Sequence, residues 1–123
     1  MDNIVDETTF SQLLEIDDLD FAKTIVEEFF QQAKELIPRL DSLFVEKDWE
    51  ALKKLGHHLK GSSAAVGAAN IRDICDSIQH FDMFTKDRDP TVYLRRKVDS
   101  LKKAIPIAEE ALSARLAQVA SGG

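Results

Sequence analysis

Along this chain apolar residues recur at intervals of three and four almost throughout, the period of an α-helix with one buried side, and no stretch alternates as a strand would. A short first helix is predicted over residues 7–16, with Phe10, Leu13, Leu14 and Ile16 on one apolar side. The acidic residues Asp17, Asp18 and Asp20 follow, suited to cap and charge-complement the next helix start. That second helix should run from about Leu19 to Val45, carrying Phe21, Ile25 and Phe29 beside Val26, Phe30, Ala33, Ile37, Leu40 and Phe44. So wide a stripe means burial against more than one neighbour. Pro38 lies inside it and should kink it or split it in two.

Asp48 reads as the cap of a third helix reaching about Val66, where Gly67 stops it. Asn70 reads as the cap of a fourth, with Ile71, Ile74, Cys75, Ile78 and Phe81 at buried-face spacing. A loop is expected at about 83–89. It ends in Asp89-Pro90, the cap-then-proline order of a helix start. The last helix, about 90–119, should bury Leu94, Val98, Leu101, Ile105, Ala108, Leu112 and Leu116, with a bend at Pro106. Four long amphipathic helices with short connections imply an all-α fold, an antiparallel up-down-up-down four-helix bundle with a short additional N-terminal helix. The expected organisation is one domain over 1–119 and a flexible C-terminal tail over 120–123.

Composition narrows the functional classes. The chain has 123 residues, enough for one core without disulfides or metal. Its formal net charge of −6 argues against a nucleic-acid partner, because phosphates must be neutralised by basic surface. The basic cluster Arg95, Arg96, Lys97, Lys102 and Lys103 reads as a solvated helix face. The lone Cys75 lies in an apolar pattern and reads as a small core residue of a reducing compartment. No run is apolar enough to span a membrane, and no signal-peptide pattern is evident. A cytoplasmic protein is expected.

The chemistry concentrates in Leu55-Gly56-His57-His58-Leu59-Lys60-Gly61-Ser62-Ser63-Ala64-Ala65-Val66-Gly67. On a helical wheel of about 100° per residue, Leu52, Leu55, Leu59 and Val66 define the core direction. His57 lies nearly opposite them, with Lys60, Gly61 and Ala64 around it; His58 falls on the flank. Gly61 inside a helix costs roughly 1 kcal/mol relative to alanine, so an exposed glycine there needs a reason. Room for another protein to approach His57 is one reason, and close approach of a neighbouring helix is another. An exposed imidazole can act as a nucleophile and carry a labile phosphoryl group, and a lysine one turn away can meet phosphoryl oxygens. Gln79, at the edge of the fourth helix's apolar stripe, is a candidate to orient the ring. An ordinary solvated histidine is the bland alternative.

The run from His57 to Ala64 resembles the histidine-x-leucine-lysine-glycine-serine signature of histidine-containing phosphotransfer (HPt) domains, in particular the fungal phosphorelay intermediates, in which leucine-glycine precedes the histidine as Leu55-Gly56 does here. The likeness extends through Ala65-Val66-Gly67, through Ile74-Cys75-Asp76-Ser77-Ile78-Gln79 and upstream to Phe29-Phe30-Gln31-Gln32-Ala33. The resemblance implies that His57 is phosphorylated, that Lys60 and Gly61 are the family's lysine and glycine beside it, and that Gln79 orients the imidazole. Fungal relatives often carry a basic residue one turn beyond that glutamine. This chain has Met83 there, so that charge is either missing or supplied by His80 or Lys86.

The implied function is a relay. His57 takes a phosphoryl group from the phospho-aspartate of a hybrid histidine kinase's receiver domain and passes it to the aspartate of a response-regulator receiver. Gly61, Ser62 and Ala64, with Leu13 and Ile16 on the first helix, are candidate docking residues. The chain should need no cofactor or metal of its own, Mg²⁺ being expected in the partner receiver only, and no nucleotide-binding loop is present. It would be a phosphohistidine carrier without kinase activity, acting as a monomer, with fungal likeness implying nuclear as well as cytoplasmic presence. The alternatives are a non-catalytic adaptor and a metal-binding bundle. The adjacent His57 and His58 diverge by about 100° and do not suit one shared ion.

Overall fold

The computed structural model describes residues 4–16, 18–81 and 89–122, without the side chain of Ile16. Among the described residues five helices follow one another: α1 (Glu7–Ile16), α2 (Leu19–Val45), α3 (Trp49–Val66), α4 (Ala69–Gln79) and α5 (Pro90–Gly122). Helices α2 to α5 pack as a ring of four, each against the next and α5 against α2, while α1 lies across α3 and α2. Ion pairs show the antiparallel sense. Lys34 of α2 meets Glu109 of α5 at 2.7 Å, and Lys102 meets Asp41 at 2.6 Å, so α5 descends as α2 rises.

The helix boundaries follow from local chemistry. Asp18 and Asp48 accept from the amides of Phe21 and Ala51, each satisfying an orphan N–H of a first turn. Gly67 ends α3 in the left-handed region at φ 78°, and a Cβ there would stand 3.1 Å from the Asp6 carbonyl oxygen. Asp89 accepts from Thr91 N–H ahead of Pro90. Pro38 and Pro106 are both exposed and neither ends its helix. A proline inside a helix costs about 3 kcal/mol. Burial of Leu40, Leu43 and Phe44 beyond Pro38, and of Ala108, Leu112 and Leu116 beyond Pro106, offsets it at roughly 1.5–3 kcal/mol for each large side chain.

Three expectations change. Phe21 is 52% exposed on the first turn of α2 and does not share the burial of Phe29 and Phe30. α5 continues helically through Gly122, three residues past its expected end, with Ser121 Oγ bonded to the Ala117 carbonyl. Asn70 is not the cap of α4. Ala68 holds that place without a side-chain bond, and Asn70 Oδ1 accepts from the Ile71 amide inside the first turn. The chain start does the capping instead. Val5 bridges antiparallel to Ala68, the Ile4 carbonyl accepts from Ala69 N–H at 3.0 Å, and Asp6 N–H donates to the Gly67 carbonyl at 2.8 Å.

The core centres on Phe10, Phe30, Leu40, Leu52, Ile71, Ile78, Leu94, Leu101, Ile105 and Leu112, all essentially inaccessible. Cys75 lies among them, and burial pushes its thiol up to about 12. The basic cluster on α5 is largely engaged in packing: Arg95 stacks over Phe44, Lys97 lies over Tyr93 and Lys102 pairs with Asp41. Among the described residues no helix is long and apolar enough to cross a membrane.

Candidate functional site

Helix α3 buries Leu52, Leu59 and Val66, with Leu55 half-buried, and this sets its rotation about its own axis. His57 therefore projects outward. His58 is exposed too, so solvent access does not tell the two histidines apart. Their neighbours do. Gln79, the last residue of α4, places its amide nitrogen 2.8 Å from His57 Nδ1, and His58 has no such partner among the described residues. The Gln79 oxygen Oε1 is buried with no hydrogen-bond partner in that arrangement.

The contact depends on how closely α3 and α4 approach, and Gly56 sets that distance. A Cβ on Gly56 would lie 3.1 Å from Ile78 Cγ2 and 3.2 Å from the Cys75 carbonyl oxygen, so only hydrogen fits between the helices. Gly61 behaves oppositely. A Cβ there meets nothing within 4 Å, so helix packing is not the reason for this glycine. Open space beside the imidazole is what it provides.

Lys60 is one turn along from His57, as expected, but its ammonium is engaged. It meets Asp76 Oδ1 of α4 at 2.8 Å, and this contact holds the Asp76 carboxyl below its usual range. His80 Nδ1 also reaches Asp76, through the carboxylate and the carbonyl oxygen, both at 3.0 Å. His80, one candidate for the missing basic residue, is thus committed on its own helix. Met83 and Lys86 lie outside the described residues. Sequence periodicity had no means of finding Asp76, because it is neutralised across a helix pair.

Ser62 Oγ donates back to the His58 carbonyl and Ala64 is half-buried, so both present small surfaces near the histidine. Ser63 is fully buried and donates to the Lys60 carbonyl. Leu13 is half-buried against the core while Phe10 of the same helix is wholly buried. Ile16 ends α1, and its side chain lies outside the described residues. A shallow depression of about 310 Å³ opens at His57 and Gln79 and is further lined by Glu50, Lys53 and Lys54. These last three, one and two turns before His57, were not singled out in the sequence. Among the described residues no three His, Cys, Asp or Glu side chains gather where they could hold an ion.

This outward histidine, oriented from a second helix of a four-helix bundle, defines a class. Residues 24–121 match the family model described as the Hpt domain, and the chain belongs to that family. It is 37% identical over 113 residues to multistep phosphorelay regulator 1 of Schizosaccharomyces pombe, covering 87% of this chain and 38% of that protein. It is 38% identical over 80 residues to phosphorelay intermediate protein YPD1 of Candida albicans, covering 63% of this chain and 44% of that one. The chain thus spans less than half the length of these curated relatives. The crystal structure of yeast Ypd1p superimposes with a TM-score of 0.72 at 21% identity over 97% of this chain and 95% of that one, a likeness of fold.

Proposed function

We propose that this protein is a phosphorelay intermediate that carries a phosphoryl group on His57 between receiver domains. The observation that carries the reading is the 2.8 Å contact between His57 Nδ1 and the Gln79 amide, which leaves the outer ring nitrogen facing solvent. The names of the relatives, a multistep phosphorelay regulator and a phosphorelay intermediate, support it.

The amide can meet Nδ1 in either of two orientations. With its NH₂ toward the ring, Nδ1 accepts and the outer Nε2 carries the proton. Turned over, the Gln79 oxygen accepts from Nδ1–H, and the outer nitrogen has a free lone pair. The second is the nucleophilic form, and it gives the otherwise orphaned Oε1 its hydrogen bond. His57 Nε2 then attacks the phosphorus of an aspartyl phosphate. The N–P bond forms as the P–O bond breaks, the electron pair leaves with the aspartate carboxylate, and Nδ1–H stays on Gln79. Transfer to the second receiver is the reverse step on a different aspartate.

Donor and acceptor are the receiver of a hybrid histidine kinase and the receiver of a response regulator, docking over Gly61, Ser62 and Ala64, with Leu13 and Ile16 as further docking candidates. Mg²⁺ belongs to the receiver, where the acyl phosphate is polarised, and this chain adds no cofactor. One copy suffices, because nucleophile and orienting amide come from the same chain. The work is placed in the cytoplasm, with the nucleus as the second compartment where a response regulator would be met.

The test is transfer of radiolabel from a phosphorylated receiver to wild type, His57→Gln and His58→Gln. Acid-labile label lost only in the His57 variant is expected. Label retained in that variant, or none taken by folded wild type, would return the chain to the adaptor reading.

A further inference from the structure

The Hpt signature draws attention to Lys60 as the cation for the phosphoryl group, yet Lys60 is already held by Asp76 at 2.8 Å. The depression that contains His57 and Gln79 is lined instead by Lys53 and Lys54, four and three residues earlier on α3. Helical side chains lean toward the N-terminus of their helix, so the imidazole of His57 lies over the turn that carries these two lysines. The antiparallel register of α3 and α4 points the same way. His57 faces Gln79 and Lys60 faces Asp76 one turn further, while one turn back, at Lys53 and Lys54, α4 has already ended. Within the described residues neither lysine has a carboxylate partner at ion-pair distance. Among the described residues, Glu50 is the one acid on the rim, against two cations.

We infer that Lys53 and Lys54 bind the phosphoryl oxygens of phospho-His57 and of the incoming donor, whereas Lys60 chiefly ties α3 to α4 through Asp76. The inference rests on the phosphorelay reading of His57. A phosphoryl group on Nε2 carries two negative charges. Lysine is a flexible point charge suited to meeting such oxygens from a neighbouring turn, without the fixed geometry an arginine fork would require. Both side chains can follow the group as it moves between donor and ring. Glu50, four residues before Lys54, keeps the pair from fully repelling each other when the ring is unphosphorylated.

The full chain can be phosphorylated with phosphoramidate, a small anionic donor that removes receiver docking from the measurement. Wild type, the double variants K53Q/K54Q and K53R/K54R, and K60Q are compared by the rate of phosphohistidine formation and by ³¹P titration of the product. Neutralising cations beside a phosphoryl group raises the pKa read from the phosphorus shift, because the charged form loses its partners. K53Q/K54Q should raise it by about half a unit and slow formation about fivefold. K53R/K54R, which keeps the charge, should move the titration less than K53Q/K54Q does, and K60Q should move both less while lowering the thermal midpoint. Two results overturn the inference: a K53Q/K54Q titration indistinguishable from wild type, whatever the rate, or a larger effect from K60Q. If folded wild type takes no phosphate at all, the phosphorelay reading falls and this falls with it; normal phosphorylation with inert lysines removes this alone.

Discussion

Gly56 and Gly61 stand five residues apart on one helix and do opposite things: a side chain at the first would strike Ile78 and the Cys75 backbone, while one at the second would meet nothing within 4 Å. Gly56→Ala should therefore destabilise the fold by about 1–3 kcal/mol, since the carbonyl it strikes cannot swing aside. Gly61→Ala should stabilise it by about 0.5–1 kcal/mol through helix propensity. Gly61→Gln should fold as well as wild type yet transfer phosphate at least about tenfold more slowly, because its side chain occupies the approach to His57. Urea unfolding and receiver-transfer rates measure both halves. A folded Gly61→Gln protein with normal transfer would remove the access role.

Gln79→Ala separates orientation from stability. The lost hydrogen bond is at the protein edge and should cost about 1 kcal/mol or less. Phosphorylation should slow by about tenfold, because the ring is no longer held in the tautomer with its outer nitrogen unprotonated. Nitrogen NMR of the imidazole gives the tautomer directly, with wild type expected to carry its proton on Nδ1 and the variant to shift toward Nε2.

Acid should act on the chain start. The Asp6 carboxyl accepts from the Thr9 amide and pairs with Arg72 at 3.0 Å, and the first of these contacts does most to hold its pKa below 3.8. A carboxyl lowered in the folded state contributes stability that is complete above its unfolded value and lost as pH falls through the folded value. Asp6→Asn should consequently lower the denaturant midpoint at pH 7, and the gap from wild type should close as pH falls below 3.8 and through the lowered folded-state value. A gap independent of pH would mean that the carboxylate charge is not what fastens residues 4–6 to the start of α4.

Cys75 should be chemically silent. With its thiol buried in the core and pushed up to about 12, almost no thiolate exists at pH 8. A thiol reagent should modify the native protein only as fast as it unfolds, and the denatured chain within minutes. Rapid labelling of native protein would contradict the packing of α4 described above.

Much of the architecture was legible from local chemistry. Asp48, Gly67 and Asp89-Pro90 mark helix ends through bonds made within a few residues, and the spacing of Leu52, Leu59 and Val66 pointed the third helix's core inward. Asn70 misled because its side chain is a good cap in isolation; the helix already begins at Ala69, whose amide meets the Ile4 carbonyl from 65 residues away, and the Arg72 amide a cap at Asn70 would serve is bonded to the Ala68 carbonyl. Pro38 did not split α2, because burial on both sides outweighs one lost hydrogen bond.

Sequence alone determined which face of each helix is buried, and so that His57 must point outward, because that follows from a periodicity every residue helps to set. It could not determine what His57 meets there. Whether the ring finds Gln79, whether Lys60 is available or bound to Asp76, and which of two glycines is a contact and which an opening are matters of register and distance between α3 and α4. Those are decided by all the core side chains packing at once, which no single helix encodes.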